Sequence, residues 1–195
     1  MKTVVGFLSR SHGYDVLTKL IESKEFKIIQ IFTHKLNPLS QDTSRSIRDD
    51  YTQFEKICVE NKIPLSSIDF KNMEIPEFPE CDFIVEVSWR YIIPQNIVKK
   101  AKFLSFGIHR GKLPDYAGGE PIKQALKNND KEIILSAHLL DSVIDAGKTI
   151  ATKIHPVNYD DNYDLENNIK RLRGEIHPLF GQLTLEVLHS FYTNN

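Results

Sequence analysis

Three stretches of the 195-residue chain concentrate residue types that do chemistry. The first, Ser105-Phe-Gly-Ile-His-Arg-Gly-Lys-Leu-Pro-Asp-Tyr-Ala-Gly-Gly-Glu-Pro-Ile122, sets His109 at the mouth of a loop rich in glycine, proline and charge. An imidazole titrates near neutral pH, which suits it to proton transfer, and loops of this composition carry function more often than plain connectors do. The competing explanation is a histidine that only bonds its own loop. The second stretch, Leu139-Leu-Asp-Ser-Val-Ile-Asp-Ala-Gly-Lys148, places Asp141 and Asp145 on a short turn ending at Gly147. Aspartates favour turns because the carboxylate bonds nearby backbone N–H groups. That accounts for Asp141 and leaves Asp145 open between turn acid and site acid. The third, Val87-Ser-Trp-Arg-Tyr-Ile-Ile-Pro94, holds the single tryptophan beside an arginine and a tyrosine. It is either a partly buried aromatic anchor or one wall of a slot for an aromatic ligand.

The elements that must position these groups follow from hydrophobic period. Short apolar runs at 3–8, 27–32, 82–87, 103–108, 132–140 and 149–157 read as strands. Between them, 14–23, 49–61, 95–100 and 120–128 carry apolar residues at helical spacing, the last with Pro121 at its first turn. One long terminal helix spans 165–191, bent at Gly174 and Pro178. Its apolar stripe (Ile169, Leu172, Ile176, Leu179, Phe180) packs on the sheet. Alternating strands and helices indicate a single α/β domain over 1–195, with a mostly parallel twisted sheet, helices on both faces and a C-terminal helix from about 163. Sites in such sheets gather at the carboxyl edge of the strands. Residues 37–50 read as a mobile loop and 159–164 as a flexible cover over the site.

Composition narrows the class. Lys and Arg total 25 against 26 acids, so no global field steers nucleic acid or an anionic membrane toward the chain, and no nucleic-acid partner is expected. No run approaches the roughly 18 apolar residues of a membrane span. Cys58 and Cys81 match neither a disulfide framework nor metal spacing, which predicts no metal and a cytoplasmic setting. A monomer or homodimer is expected.

In this order the three stretches resemble the formyltransferases that use 10-formyltetrahydrofolate, a family that includes glycinamide ribonucleotide, methionyl-tRNA and nucleotide-sugar enzymes. The family signature runs Asn-x-His, then Leu-Pro-x-Tyr-x-Gly with Pro-Ile, then an Asp-x-Gly turn. His109 matches the histidine; Leu113, Pro114, Tyr116, Gly118, Pro121 and Ile122 match the loop; Asp145 and Gly147 match the turn. The resemblance extends from Thr3 to Val157 and is strongest over 82–150. It implies the Rossmann-like formyltransferase fold, 10-formyltetrahydrofolate as co-substrate, a primary amine of a small metabolite as acceptor, and His109 and Asp145 as catalytic residues. It further implies that Trp89, Arg90, Tyr91 and Ile92 hold the folate on one side and Leu139, Asp141 and Val143 on the other. Ser9, Arg10, Ser11, Gly107, Arg110 and Tyr116 would meet the acceptor, the first three as a phosphate site at a helix N-terminus.

The chain also departs from the pattern. Gly107 stands where the family has asparagine, whose amide donates to the negative charge developing on the formyl oxygen. Losing one such donor costs about 10²–10³-fold in rate. Arg110 is a candidate substitute, and Gly107 leaves space for a larger substrate group. The Ser9-Arg-Ser-His-Gly13 turn replaces a Gly-Ser-Asn phosphate loop, and the chain carries no C-terminal barrel like that of the tRNA enzymes. An amino sugar attached to a nucleotide is therefore the expected acceptor. The alternatives are a 10-formyltetrahydrofolate hydrolase, a folate-binding protein without transfer chemistry, and a generic nucleotide-binding domain. Only the last predicts affinity for nucleotide but none for folate.

Overall fold

The computed structural model of the protein describes residues 1–192. Seven strands form one sheet in the order β3-β2-β1-β4-β5-β6-β7: β1 (Lys2–Leu8), β2 (Phe26–Thr33), β3 (Leu65–Ser67), β4 (Cys81–Val87), β5 (Ala101–His109), β6 (Glu132–Leu139) and β7 (Thr149–Pro156). The first five run parallel; β6 is antiparallel to both its neighbours, so the edge strand β7 again points the way of the first five. The chain leaves β1 toward β2 on one side and toward β4 on the other, so the strand order reverses there. Ligands bind outside the strand ends at such a switch.

Alternation along the strands divides the core. On one face Val4, Leu8, Phe83, Val85, Phe106 and Leu135 pack beneath α1 (Arg10–Ser23) and α6 (Leu179–Tyr192), with α2 (Tyr51–Glu60), α4 (Pro121–Lys127) and α5 (Leu165–Ile176) around them. On the other face Val5, Phe7, Phe32 and Ile84 form a smaller cluster under α3 (Gln95–Val98). That second cover is narrow. It leaves the face of β4, β5 and β6 near their site ends to a cleft instead of a helix.

Several expectations change. The terminal helix is two helices, because Pro178 lacks an N–H and breaks the ladder between α5 and α6; Gly174 stays inside α5. Its stripe is buried as expected, with Ile169, Leu172, Ile176 and Phe180 each at most 2% exposed. Strand β3 is three residues long, too short to show a period. Loop 37–50 is tied down: Asp42 accepts from Ser44 N–H (2.9 Å) and Ser46 N–H (2.8 Å), and Arg45 donates to the Asp69 carbonyl at 2.7 Å. Segment 159–164 is no cover over the cleft, because the Asn168 amide binds it to the start of α5 through the carbonyls of Asp160, Tyr163 and Asp164. Among the described residues no helix is long and apolar enough to cross a membrane.

Candidate active site

The floor of the cleft is a lateral row of three residues on adjacent strands. Register places Glu86 of β4 opposite Gly107 of β5, and Gly107 opposite His138 of β6. All three face away from the helix-rich side, by the same alternation that buries Val85, Phe106 and Ala137 beneath it. His109, two residues beyond Gly107, continues that face of β5 to the strand's end.

Asp145 stands over this row. Its Oδ2 accepts from Gly118 N–H at 3.0 Å and lies 3.2 Å from His109 Nδ1. Its Oδ1 is 3.6 Å from His138 Nε2, too long for a hydrogen bond. His109 Nε2 lies 2.7 Å from the Tyr116 carbonyl, which only accepts, so Nε2 carries a hydrogen and Nδ1 is the atom that shares a proton with Asp145. Asp145 has φ 55, in the left-handed region that aspartate tolerates better than most residues. Two residues on, a Cβ at Gly147 would lie 1.8 Å from the Leu139 carbonyl oxygen, so the turn that aims Asp145 admits only glycine. His138 donates from Nδ1 to the Leu139 carbonyl at 3.1 Å, and burial lowers its pKa against the opposing pull of that bond and of Asp145.

The walls enclose about 330 Å³. Trp89, Arg90, Tyr91 and Ile92 form one side, and Asp141 and Val143 stand on the other. Trp89 is anchor and wall together, stacked on His34 at 4.1 Å between centroids and edge-on to Phe7 at 5.1 Å. Burial, partly opposed by a bond to the Ile68 carbonyl, lowers His34 to about 3, so its neutral Nε2 accepts Arg90 N–H at 3.2 Å. Ile92, Val143 and Ile144 are 51%, 61% and 62% exposed across the cleft from one another, apolar surface that a flat ring would cover. These walls and the polar floor fit a pterin. Leu139 is a correction: strand alternation turns it into the helix-side core, and Leu140 lines the cleft in its place.

The acceptor residues divide. Arg110 lines the cleft and bonds His12 Nε2 at 3.0 Å, so it turns toward α1 instead of substituting at Gly107. Burial and repulsion from Arg173 and Arg10 bring its pKa down to about 10. Arg10 is exposed and bonds Gln41 at 3.3 Å, and Ser11 is exposed beside it. Ser9 is removed from any ligand, being buried under the Arg48 guanidinium. The ring of Tyr116 points out of the cleft, its hydroxyl 2.5 Å from Asp130 and 3.0 Å from Asn128; only its carbonyl serves the site. Gly107 leaves no space for substrate, since Glu86 fills it. Glu86 and His138 were missed as site residues. Their one sequence signal is polarity inside apolar strands. Among the described residues no group of three or more His, Cys, Asp or Glu could hold a metal ion.

Comparison with known proteins points to one family. Methionyl-tRNA formyltransferase of Nostoc sp. is 24% identical over 197 residues, covering 95% of this chain and 55% of the relative. That of Mycoplasma capricolum is 29% identical over 140 residues, 69% of this chain and 42% of the relative. The chain thus spans about half the length of these curated relatives. In fold it is similar to phosphoribosylglycinamide formyltransferase from Brucella melitensis (TM-score 0.70, 15% identity, 97% of this chain and 95% of that one). It is also similar to a formyltetrahydrofolate deformylase from Pseudomonas syringae pv. tomato (TM-score 0.66, 19% identity, 91% and 58%). Residues 2–180 match the model of a single family across every element that builds the cleft, and on that ground the chain belongs to the formyl transferase family.

Proposed function

We propose that this domain transfers a formyl group from 10-formyltetrahydrofolate to a primary amine on a small anionic metabolite, with a nucleotide-linked amino sugar as the acceptor class. The observation that carries the reading is the His109–Asp145 pair, 3.2 Å apart and opening on a cleft with apolar walls. Bound there, the folate supplies a formyl carbon attached to a nitrogen that can leave. Trp89 and Ile92 on one wall and Leu140 and Val143 on the other would cover its ring and exclude water. His109 takes the proton that the attacking amine must lose, and Asp145, held by Gly118 N–H, shares that proton through Nδ1. Guanidiniums of Arg10 and Arg110, with Arg173 close enough to repel both, give the α1 end of the cleft a positive charge suited to a phosphate. A reducing cytoplasm suits Cys58 and Cys81, buried thiols whose pKa values rise to about 11 and about 12 through burial.

The test joins binding and turnover. Calorimetry should show affinity for 5-formyltetrahydrofolate. Tetrahydrofolate release from 10-formyltetrahydrofolate should be stimulated by a nucleotide-linked amino sugar, more than by glycinamide ribonucleotide, methionyl-tRNA or water alone. His109→Ala and Asp145→Ala should each lower turnover about 10²–10⁴-fold without loss of folate affinity. Unchanged turnover in both variants defeats the mechanism. Stimulation by methionyl-tRNA alone replaces the acceptor.

A further inference from the structure

With His109 and Asp145 assigned to the proton, Glu86, the carboxyl on the floor of the cleft, is left without a task. Glu86 Oε1 accepts from Trp89 N–H at 2.8 Å. Oε2 has no hydrogen-bond partner among the described residues, and Glu86 lines the cleft. A Cβ built on Gly107 would lie 2.5 Å from Glu86 Oε2 and 3.1 Å from His138 Nε2. The glycine is thus the room that Glu86 occupies. A side chain reaching across from β4 fills the position from which a residue at 107 would enter the cleft, on the same face of β5 as His109.

We propose that Glu86, as a neutral carboxylic acid, is a catalytic residue that donates a hydrogen bond to the formyl oxygen, from the place left open by Gly107. This rests on the formyl-transfer reading above. Burial raises the Glu86 carboxyl to about 8; the Trp89 N–H opposes the rise and the Asp145 charge adds to it. The groups that act on it are the Asp145 charge and the Trp89 N–H, with the His138 imidazole beside it at Gly107 and His109 beyond, against Asp145; no Lys or Arg among them draws out its proton. The sign follows: the acid keeps its proton below about pH 8 and loses it above. A protonated acid in such a site donates to developing negative charge, whereas a carboxylate would repel it. As the amine adds, its nitrogen bonds the formyl carbon and the bond from that carbon to the folate nitrogen breaks. The amine's proton passes through His109 to the folate nitrogen. Glu86 keeps its own proton throughout.

The experiment compares Glu86→Gln, Glu86→Val, Gly107→Asn, the Glu86→Val/Gly107→Asn double variant and His109→Ala in the full chain, assayed with the best acceptor of the panel above. Isotope-edited infrared spectra of the free protein should show a protonated glutamic acid at pH 7 that titrates near 8 and is absent from Glu86→Gln. Glu86→Gln keeps a neutral donor, so its turnover should stay within about threefold of wild type at pH 7 and should not share the wild-type fall above pH 8. Glu86→Val should lose about 10²-fold in kcat with folate affinity intact. Gly107→Asn alone should also lose turnover, since its side chain collides with Glu86, and the double variant should regain at least about tenfold over Glu86→Val because the two positions share one space. Glu86→Val at wild-type turnover, or an ionised Glu86 at pH 6, overturns the proposal. Silent Glu86 variants beside an inactive His109→Ala remove this inference alone, whereas an active His109→Ala removes the reading on which it rests.

Discussion

The two ends of the cleft are built on opposite plans. At the floor, Asp145 accepts from Gly118 N–H and faces two imidazoles, and Glu86 is fixed through Trp89 N–H. At the α1 end, three guanidiniums repel one another, and His12 Nδ1 and Arg110 Nε are buried without hydrogen-bond partners. Buried donors without partners cost stability, and they persist where a ligand satisfies them. The floor is organised before anything binds, as stabilisation of developing charge requires. The far end holds unused donors, so under the proposed reading the difference would separate a fixed chemistry from a selective acceptor site.

The comparison breaks most severely at Gly147. An added methyl would strike the Leu139 carbonyl at 1.8 Å, backbone against side chain, with no flexible group to yield. Gly147→Ala should move the turn, carry Asp145 off His109, lower turnover about 10²-fold or more and cost about 2–4 kcal/mol of stability. A melting curve and kcat measured together check it. Wild-type values of both would mean that the turn does not aim Asp145.

Arg110→Ala should act on the other end alone. Burial lowers the pKa of this guanidinium, yet at about 10 it remains charged at neutral pH. Losing one charge-assisted hydrogen bond to an anionic acceptor should raise KM about 10–100-fold. Folate affinity and kcat should hold within about threefold. Added salt should weaken the wild type toward the variant. An equal fall in kcat and in kcat/KM would place Arg110 in the chemistry and erase the division between the ends.

How much of this was readable beforehand depended on whether a residue's meaning is local. His109, Asp145 and Gly147 stood out because glycine-rich loops and Asp-x-Gly turns advertise themselves within a few positions. The alternating strands and helices announced the sheet, and Pro178 announced a break whose completeness only packing decides. Glu86 was hidden, because inside Asp-Phe-Ile-Val-Glu-Val it looks like an outward polar position. Its role comes from pairing with Gly107, a residue on another strand. Leu139 was misplaced by one residue at a strand end, where a single step reverses the face. His138 was missed for the same reason, since only register sets it beside Gly107.

Tyr116 supplies the smallest effect and the sharpest control. Its place in the Leu-Pro-x-Tyr-x-Gly loop suggested contact with the acceptor, yet its hydroxyl meets Asp130 and Asn128 outside the cleft while its carbonyl alone holds His109 Nε2. The bond to Asp130, more than burial, raises the pKa of the phenol. Tyr116→Phe removes that hydroxyl and leaves the carbonyl in place. Stability should fall by at most about 1 kcal/mol, since the bond is partly solvated. Turnover and KM should match wild type for every acceptor. A raised KM would mean that the ring swings into the cleft when ligand binds, and the α1 end would then share its acceptor with the loop.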